Sequence, residues 1–343
     1  MATTKPEKPF TTAVKAQQEA KARHAESVRE RELSRVILSP DDVAGAYDAA
    51  RVLFTTLGGK ARPITADDLK AFQATAQQLG KKFKGGITAK QVIDLSMPDA
   101  LKRAHQQIHT GFPVTNRGGR VQFQTNAGPD SKHRRHMVVI DFMNFEACVA
   151  SPVAPKDIVK QMLRGPIKLD CNCEDWRYRL RFIATKGKYA AGPWFENGFP
   201  KITNPLLHGV GCKHSLRIAQ LILHSPTFKN YAINMIGQAR GAVERKSKNL
   251  KVKEMEAFRQ ALAKEGYKQR AIKTTQEKRA QRQAQPSYQR QLEAQRAMRA
   301  KAASKPAAQA RVSDTKFIQM LMQGGFSQAA AEAALAAAKA TMA

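Results

Sequence analysis

The chain has 343 residues, enough for one large domain or two ordinary ones, and with 42% hydrophobic and 7% aromatic residues it predicts a core over part of its length. Lys and Arg number 58 against 28 Asp and Glu, a formal charge of +30 that points to an acidic partner, most simply nucleic acid. No apolar run reaches the roughly 18 residues of a membrane-spanning helix, and the opening MATTKPEKPFTTAVKAQQEAKARHAES lacks the apolar centre of a secretory signal. The expected setting is intracellular and reducing, where closely spaced cysteines indicate a metal site rather than a disulfide frame.

Residues 1–36 are polar and alternately charged, and predict a helical arm, solvated or flexible. Residues 37–116 predict a helical subdomain. Ser39 caps SPDDVAGAYDAARVLFTTLGG, Pro40 sits in its first turn, Asp41 and Asp42 face the positive end of the dipole, and Gly58 and Gly59 end it. Thr65 caps a second helix, TADDLKAFQATAQQLG, stopped at Gly80, and a shorter pair in TAKQVIDLSMPDALKRAHQQIH breaks at Pro98.

Residues 117–225 predict an α+β domain. Two β-favouring runs, 120–125 and 136–145, flank a Gly-Pro-Asp turn, and Cys148 is expected in the core of an apolar strand. APKDIVKQMLRG reads as a helix, PIKLDCNC and WRYRLRFIATKGKYA as strands, and GPWFENGFPKITNPLLHGVG as a long loop. CKHSLRIAQLILHS returns to helical periodicity. Residues 226–310 hold 20 Lys and Arg against 6 Asp and Glu and predict a basic helical or disordered tail. Residues 311–343 predict a short helical hairpin around Gly324 and Gly325. The fold class is α+β, with a helical N-terminal part, a metal-stapled strand–loop–helix centre and the basic tail.

DCNCEDW places Cys171 and Cys173 two apart, and 38 residues later GCKH places Cys212 and His214 two apart. The strand period is two, so the first pair projects from one side of the chain. The second pair lies where a glycine turn meets a helix. Three thiolates and one imidazole form a tetrahedral zinc set, and four protein ligands leave no open position, so one structural zinc per chain is expected. The competing reading is unrelated buried cysteines and a surface histidine.

C-x-C followed by C-x-H at the head of a helix resembles the SWIM-type zinc finger, over about 171–220, with Cys171, Cys173, Cys212 and His214 at the ligand positions. That resemblance implies a ββα arrangement that binds DNA or protein, and the chain departs from it in its long insert. The succession NAGPDSKHRRHMVVIDF, CNCEDWRYRLRFIATKG, NPLLHGVGCKH is similar to virion structural proteins of tailed bacteriophages, over about 85–225. It implies only a location, in the particle, with host cytoplasm during assembly. MLMQGGFSQAAAEAAL resembles the first two helices of a UBA-like module, beside the simpler reading of a hairpin that docks on a neighbour.

Read as a strand, the run after Cys173 sets Arg177, Arg179 and Arg181 on one face, a surface for a nucleic-acid backbone or a row of solvated arginines. In the tail, Arg279, Arg282 and Arg290 predict sequence-independent, salt-sensitive contact with a polyanion, the alternative being a solvated helix bridging protein neighbours. His133, Arg134, Arg135 and His136 form a further basic cluster, at a phosphate or at a solvated turn. Neither P-loop nor dinucleotide fingerprint is present, and Asp141, Glu146, Glu174 and Asp175 have no base or metal at useful spacing. The expectation is a non-enzymatic phage virion structural protein contacting nucleic acid, DNA by expectation and without regard to sequence, and/or neighbouring virion proteins, and able to form homo-oligomers. The alternative is a free SWIM-like DNA-binding regulator.

Overall fold

The computed structural model describes residues 13–34, 53–83, 85–242, 248–267, 270–303 and 314–340. The chain divides into a unit reaching Lys278 and a second beginning at Arg279.

An antiparallel sheet organises the first unit. Its six strands are β3 (Ile87–Thr88), β4 (Gly111–Arg117), β5 (Arg120–Asn126), β6 (Arg135–Phe142), β7 (Pro166–Cys171) and β8 (Lys248–Asn249), in the order β3-β7-β6-β5-β4-β8. A separate two-stranded ribbon joins β1 (Phe54–Thr55) to β2 (Arg62–Pro63). Alternation sorts the side chains of the large sheet: Val121 and Phe123 on β5, Val138 and Ile140 on β6, and Leu169 on β7 are all buried. Register places Phe123 opposite Val138, and Ile140 opposite Leu169. Helix Lys213–His224 packs on β4, β6 and β7, and helices Ala89–Asp94 and Pro98–Gln107 pack against it.

The helix capped by Thr65 forms as Ala66–Lys82, passing Gly80 by two residues, with Asp68 closing the capping box. Most of the helix expected over 39–59 lies outside the described residues, and its end is instead β1 and a glycine turn. Three further expectations give way to tertiary structure. β4 was not foreseen. Its partner β5 follows across Gly118 and Gly119, both at positive φ (51° and 83°), the pair a two-residue hairpin requires. Cys148 is buried on helix Phe145–Ala150, not on a strand.

The expected boundary at 226 is the third. Helix Pro226–Arg240 buries Phe228, Ala232, Met235 and Ile236, and helix Val252–Lys264 buries Met255, Phe258 and Leu262. Both belong to the central core, which extends to Tyr267 and Ile272. Apolar residues three and four apart were enough to hold these helices in the core.

The polar arm Ala13–Ser34 is helical, and it buries Ala16 and Ala20 against Met137. In the second unit, helix Pro286–Ala303 is surface-exposed over its described side chains apart from half-buried Tyr288 and Leu292. Helices Asp314–Gln323 and Gln328–Ala340 pack on each other, and Ala331 is the one buried residue among those described in them. Among the described residues no helix is long and apolar enough to cross a membrane.

Candidate metal centre

β7 ends on Cys171, opposite Val138 of β6. Side chains two apart share a sheet face, so His136 and Val138 lie on the side that helix Lys213–His224 covers. Cys173 follows in the turn beyond the strand, where its Sγ accepts the Trp176 amide at 3.4 Å. Across the long loop, Cys212 is the N-cap residue of helix Lys213–His224, and His214 stands in the first turn. Gly211 lets that helix start sit close to its neighbour, since a Cβ there would come within 2.9 Å of Val92 Cγ1.

The donor atoms of Cys171, Cys173, Cys212 and His214 lie within 4.8 Å of one another, and all four residues are buried. The cysteines are free thiols. Neither nitrogen of the His214 ring has a hydrogen-bond partner. A buried polar atom left unpaired costs about 1–3 kcal/mol, so this ring calls for another partner. Burial, together with the neighbouring sulfurs, pushes the Cys171 thiol well up. Burial also raises Cys173. Cys212 goes the other way: burial opposes its ionisation, but the neighbouring Cys171, Cys173 and His214 prevail and bring it well below the ordinary thiol value. Three sulfurs in one dry space cannot all ionise without a cation. A cation satisfies the sulfurs and the orphaned imidazole together, and the cluster can hold a metal ion.

A ring of polar groups supports these four residues. Asp170 accepts from the Trp176 indole at 2.7 Å and from Arg181 Nε at 3.1 Å, and Arg181 also donates to the Cys171 carbonyl at 3.1 Å. The His136 ring lies 4.4 Å from that of His214. Burial, then His214 and Arg23, push its pKa down to about 2, so His136 is neutral. Its Nδ1 faces Asn172 Oδ1 at 3.3 Å and its Nε2 faces Ser131 Oγ at 3.2 Å. Ser215 Oγ stands 3.5 Å from Cys212 Sγ.

The arginine stripe expected after Cys173 does not form. Trp176–Leu180 is a π-helical turn that runs into helix Arg181–Lys186. The buried set Trp176, Leu180, Ile183 and Ala184 follows a helical period, which prevails over the alternating pattern. Arg177 and Arg181 are buried, the first bonded to the Arg23 carbonyl and the second to Asp170. Arg179 is half-buried, bonded to Asp175 at 2.7 Å and to the Thr203 carbonyl at 3.1 Å. These three residues therefore serve the interior rather than an exposed sheet. Arg279, Arg282 and Arg290 are exposed on helices Thr275–Gln283 and Pro286–Ala303.

The basic cluster 133–136 is divided, with His136 inside and Arg135 paired to Glu19 at 3.1 Å. His136, Asp170, Asn172 and Arg23 were not singled out as neighbours of a metal site. A signal existed for Asp170, an acid set directly between Leu169 and Cys171. None existed for Arg23, in a helix that is polar nearly all round.

The chain matches no protein-family model, no curated protein and no solved structure. The likenesses to SWIM-type fingers and to phage virion proteins therefore rest on the quoted residues alone, and the structure shows a buried Cys/His cluster compatible with a zinc finger.

Proposed function

We propose that this is a non-enzymatic structural protein in which one zinc ion staples β7 to helix Lys213–His224, and whose basic surface contacts nucleic acid. The observation that carries the reading is the closed donor set: three thiols and one imidazole, all buried, with no donor pair farther apart than 4.8 Å. A tetrahedron with Zn–S bonds of about 2.3 Å has edges of about 3.8 Å, so a small contraction suffices. Sulfur-rich donors favour zinc over magnesium or calcium, and four protein ligands leave no position for substrate or activated water.

The nucleic-acid part is supported by the charge of +30 and by the exposed arginines of the second unit. A place in a phage particle is supported by the sequence resemblance. Detection of the chain in washed particles, beside a salt titration of DNA binding, tests both parts. A virion component stays with the particles, whereas a free regulator is lost on washing. Turnover of a nuclease or ligase substrate that tracks with the protein would overturn the non-enzymatic reading.

A further inference from the structure

With Arg177 and Arg181 turned inward, the question is where the first unit meets an anion. Helix Pro155–Arg164 and the junction of helices Lys213–His224 and Pro226–Arg240 line a half-open cavity of about 300 Å³. Leu163 and Ile222 are among its apolar residues, and Lys160, Arg164, His224 and Lys229 also line it, with no acid among the lining residues. Lys160 and Arg164 are four apart and exposed on one helix face. Lys229 is in the first turn of the facing helix.

Two further cations converge on the same corner. Lys278 Nζ lies 3.0 Å from His224 Nε2, and Arg270 donates to the His224 carbonyl at 3.1 Å. Burial, then Lys278 and Arg270, lower the His224 pKa, as a concentrated positive potential would. Elsewhere, helix-surface arginines such as Arg103, Arg179 and Arg259 each hold a carboxylate. Among the described residues none of Lys160, Arg164, Lys229, Arg270 and Lys278 forms such a pair. Glu265 at the margin is already engaged, accepting from the Thr227 amide at 2.6 Å and the Ser225 hydroxyl at 2.9 Å.

We infer that this cavity is a seat for the phosphodiester backbone of nucleic acid, with Lys160, Arg164 and Lys229 as its phosphate-contacting residues. The inference rests on the nucleic-acid part of the proposed function and moves the contact in the first unit from the 177–181 segment to this corner. The three cations stand on packed helices, so little backbone ordering remains to be done on binding. The contact is to phosphate and carries no base preference.

The test is anisotropy of a labelled DNA duplex against salt concentration, with the full chain, with K160A/R164A/K229A, and with R279Q/R282Q/R290Q. Circular dichroism and metal content check that each variant is folded. Each phosphate contact contributes about 0.9 to the slope of log affinity on log salt, so the cavity variant should lose roughly 3 from the slope and bind any sequence more weakly. An unchanged slope in the cavity variant, with a reduced slope in the tail variant, overturns the seat and leaves the nucleic-acid reading standing. No binding by the unmodified chain at low salt overturns both. Capture of an acidic protein by the unmodified chain but not the cavity variant, with DNA binding unaffected, also overturns the seat.

Discussion

Asp170 and Trp176, six residues apart, are joined by a 2.7 Å hydrogen bond from the indole to the carboxylate, both side chains being buried. This bond closes the chain into a loop that carries Cys171 and Cys173. Arg181 locks it by donating to both carboxylate oxygens, at 3.1 and 3.3 Å. Burial pushes the Asp170 carboxyl up, with Arg181 and the Trp176 indole opposing. Asp170→Asn keeps an acceptor for Trp176 but leaves Arg181 buried without its counter-charge. Losing one partner of a buried pair costs about 3–5 kcal/mol, and disturbing a group that orients a metal ligand costs about 10–100-fold in metal affinity. Urea melts and a competitive chelator titration read these two effects. Asp170→Asn combined with Arg181→Met should recover part of the stability and little of the metal affinity.

The N-terminal helix Ala13–Ser34 is held by polar contacts around Arg23 as well as by its few buried alanines. Arg23 Nη1 donates to the Arg135 carbonyl at 2.9 Å, and the Arg23 carbonyl accepts from Arg177. Burial lowers the Arg23 pKa, with Glu19 opposing, Arg177 adding to the fall, and Cys171 opposing. With the proposed zinc bound, three thiolates would give the site a net charge of about −1, a counter-charge beside two buried guanidiniums. Chelation removes it. Amide exchange in 13–34 should then quicken, while exchange at Val121 and Phe123 in the sheet stays slow. Equal protection of 13–34 with and without chelator would contradict this coupling.

Asp68 gives a pH dependence independent of the metal. Its carboxylate accepts from Arg62 at 2.6 and 2.8 Å and from the Thr65 amide at 2.9 Å. The Arg62 hydrogen bond is the chief reason that its pKa falls far below the ordinary carboxylate range. A depressed folded pKa means that the unfolded chain binds the proton more readily. The contribution is therefore complete well above the unfolded value of about 3.9 and is lost as pH falls through the folded value. Asp68→Asn should cost about 1 kcal/mol at neutral pH, as the loss of a helix cap does, and flatten the acid limb of stability against pH.

Gly119 should tolerate no side chain. Its φ is +83°, and a Cβ would stand 2.6 Å from Phe145 Cβ. Gly119→Ala combines a left-handed backbone penalty of about 1–2 kcal/mol with overpacking of about 1–3 kcal/mol. A fall in denaturation midpoint with an unchanged slope is the expected melt. Gly58, also at positive φ, has open space around it and should cost less on the same substitution.

The Cys/His cluster was legible because C-x-C and C-x-H are local patterns whose chemistry names its own partners. Helices with caps were legible too: Thr65 and Thr88 each sit three residues before a side chain that returns the bond. Strand β4 was hidden by Pro113, which lies beside a register shift in the pairing with β5. The segment after Cys173 misled because Trp-Arg-Tyr-Arg-Leu-Arg alternates as a strand does while its apolar members also fit a helix. Only the wider set, including Ile183 and Ala184, separates the two. The supporting ring was illegible for another reason. Arg23 and His136 are 113 residues apart, and no pattern along a chain announces a contact at that separation.

The most direct test is zinc content per chain, by elemental analysis of the purified protein beside Cys171→Ser combined with Cys212→Ser. The account predicts one zinc per chain in the unmodified protein, absent from the double variant, whose melting temperature falls with the metal. A well-folded unmodified chain that neither carries zinc as purified nor takes it up after reduction would contradict it, leaving the four residues as buried core.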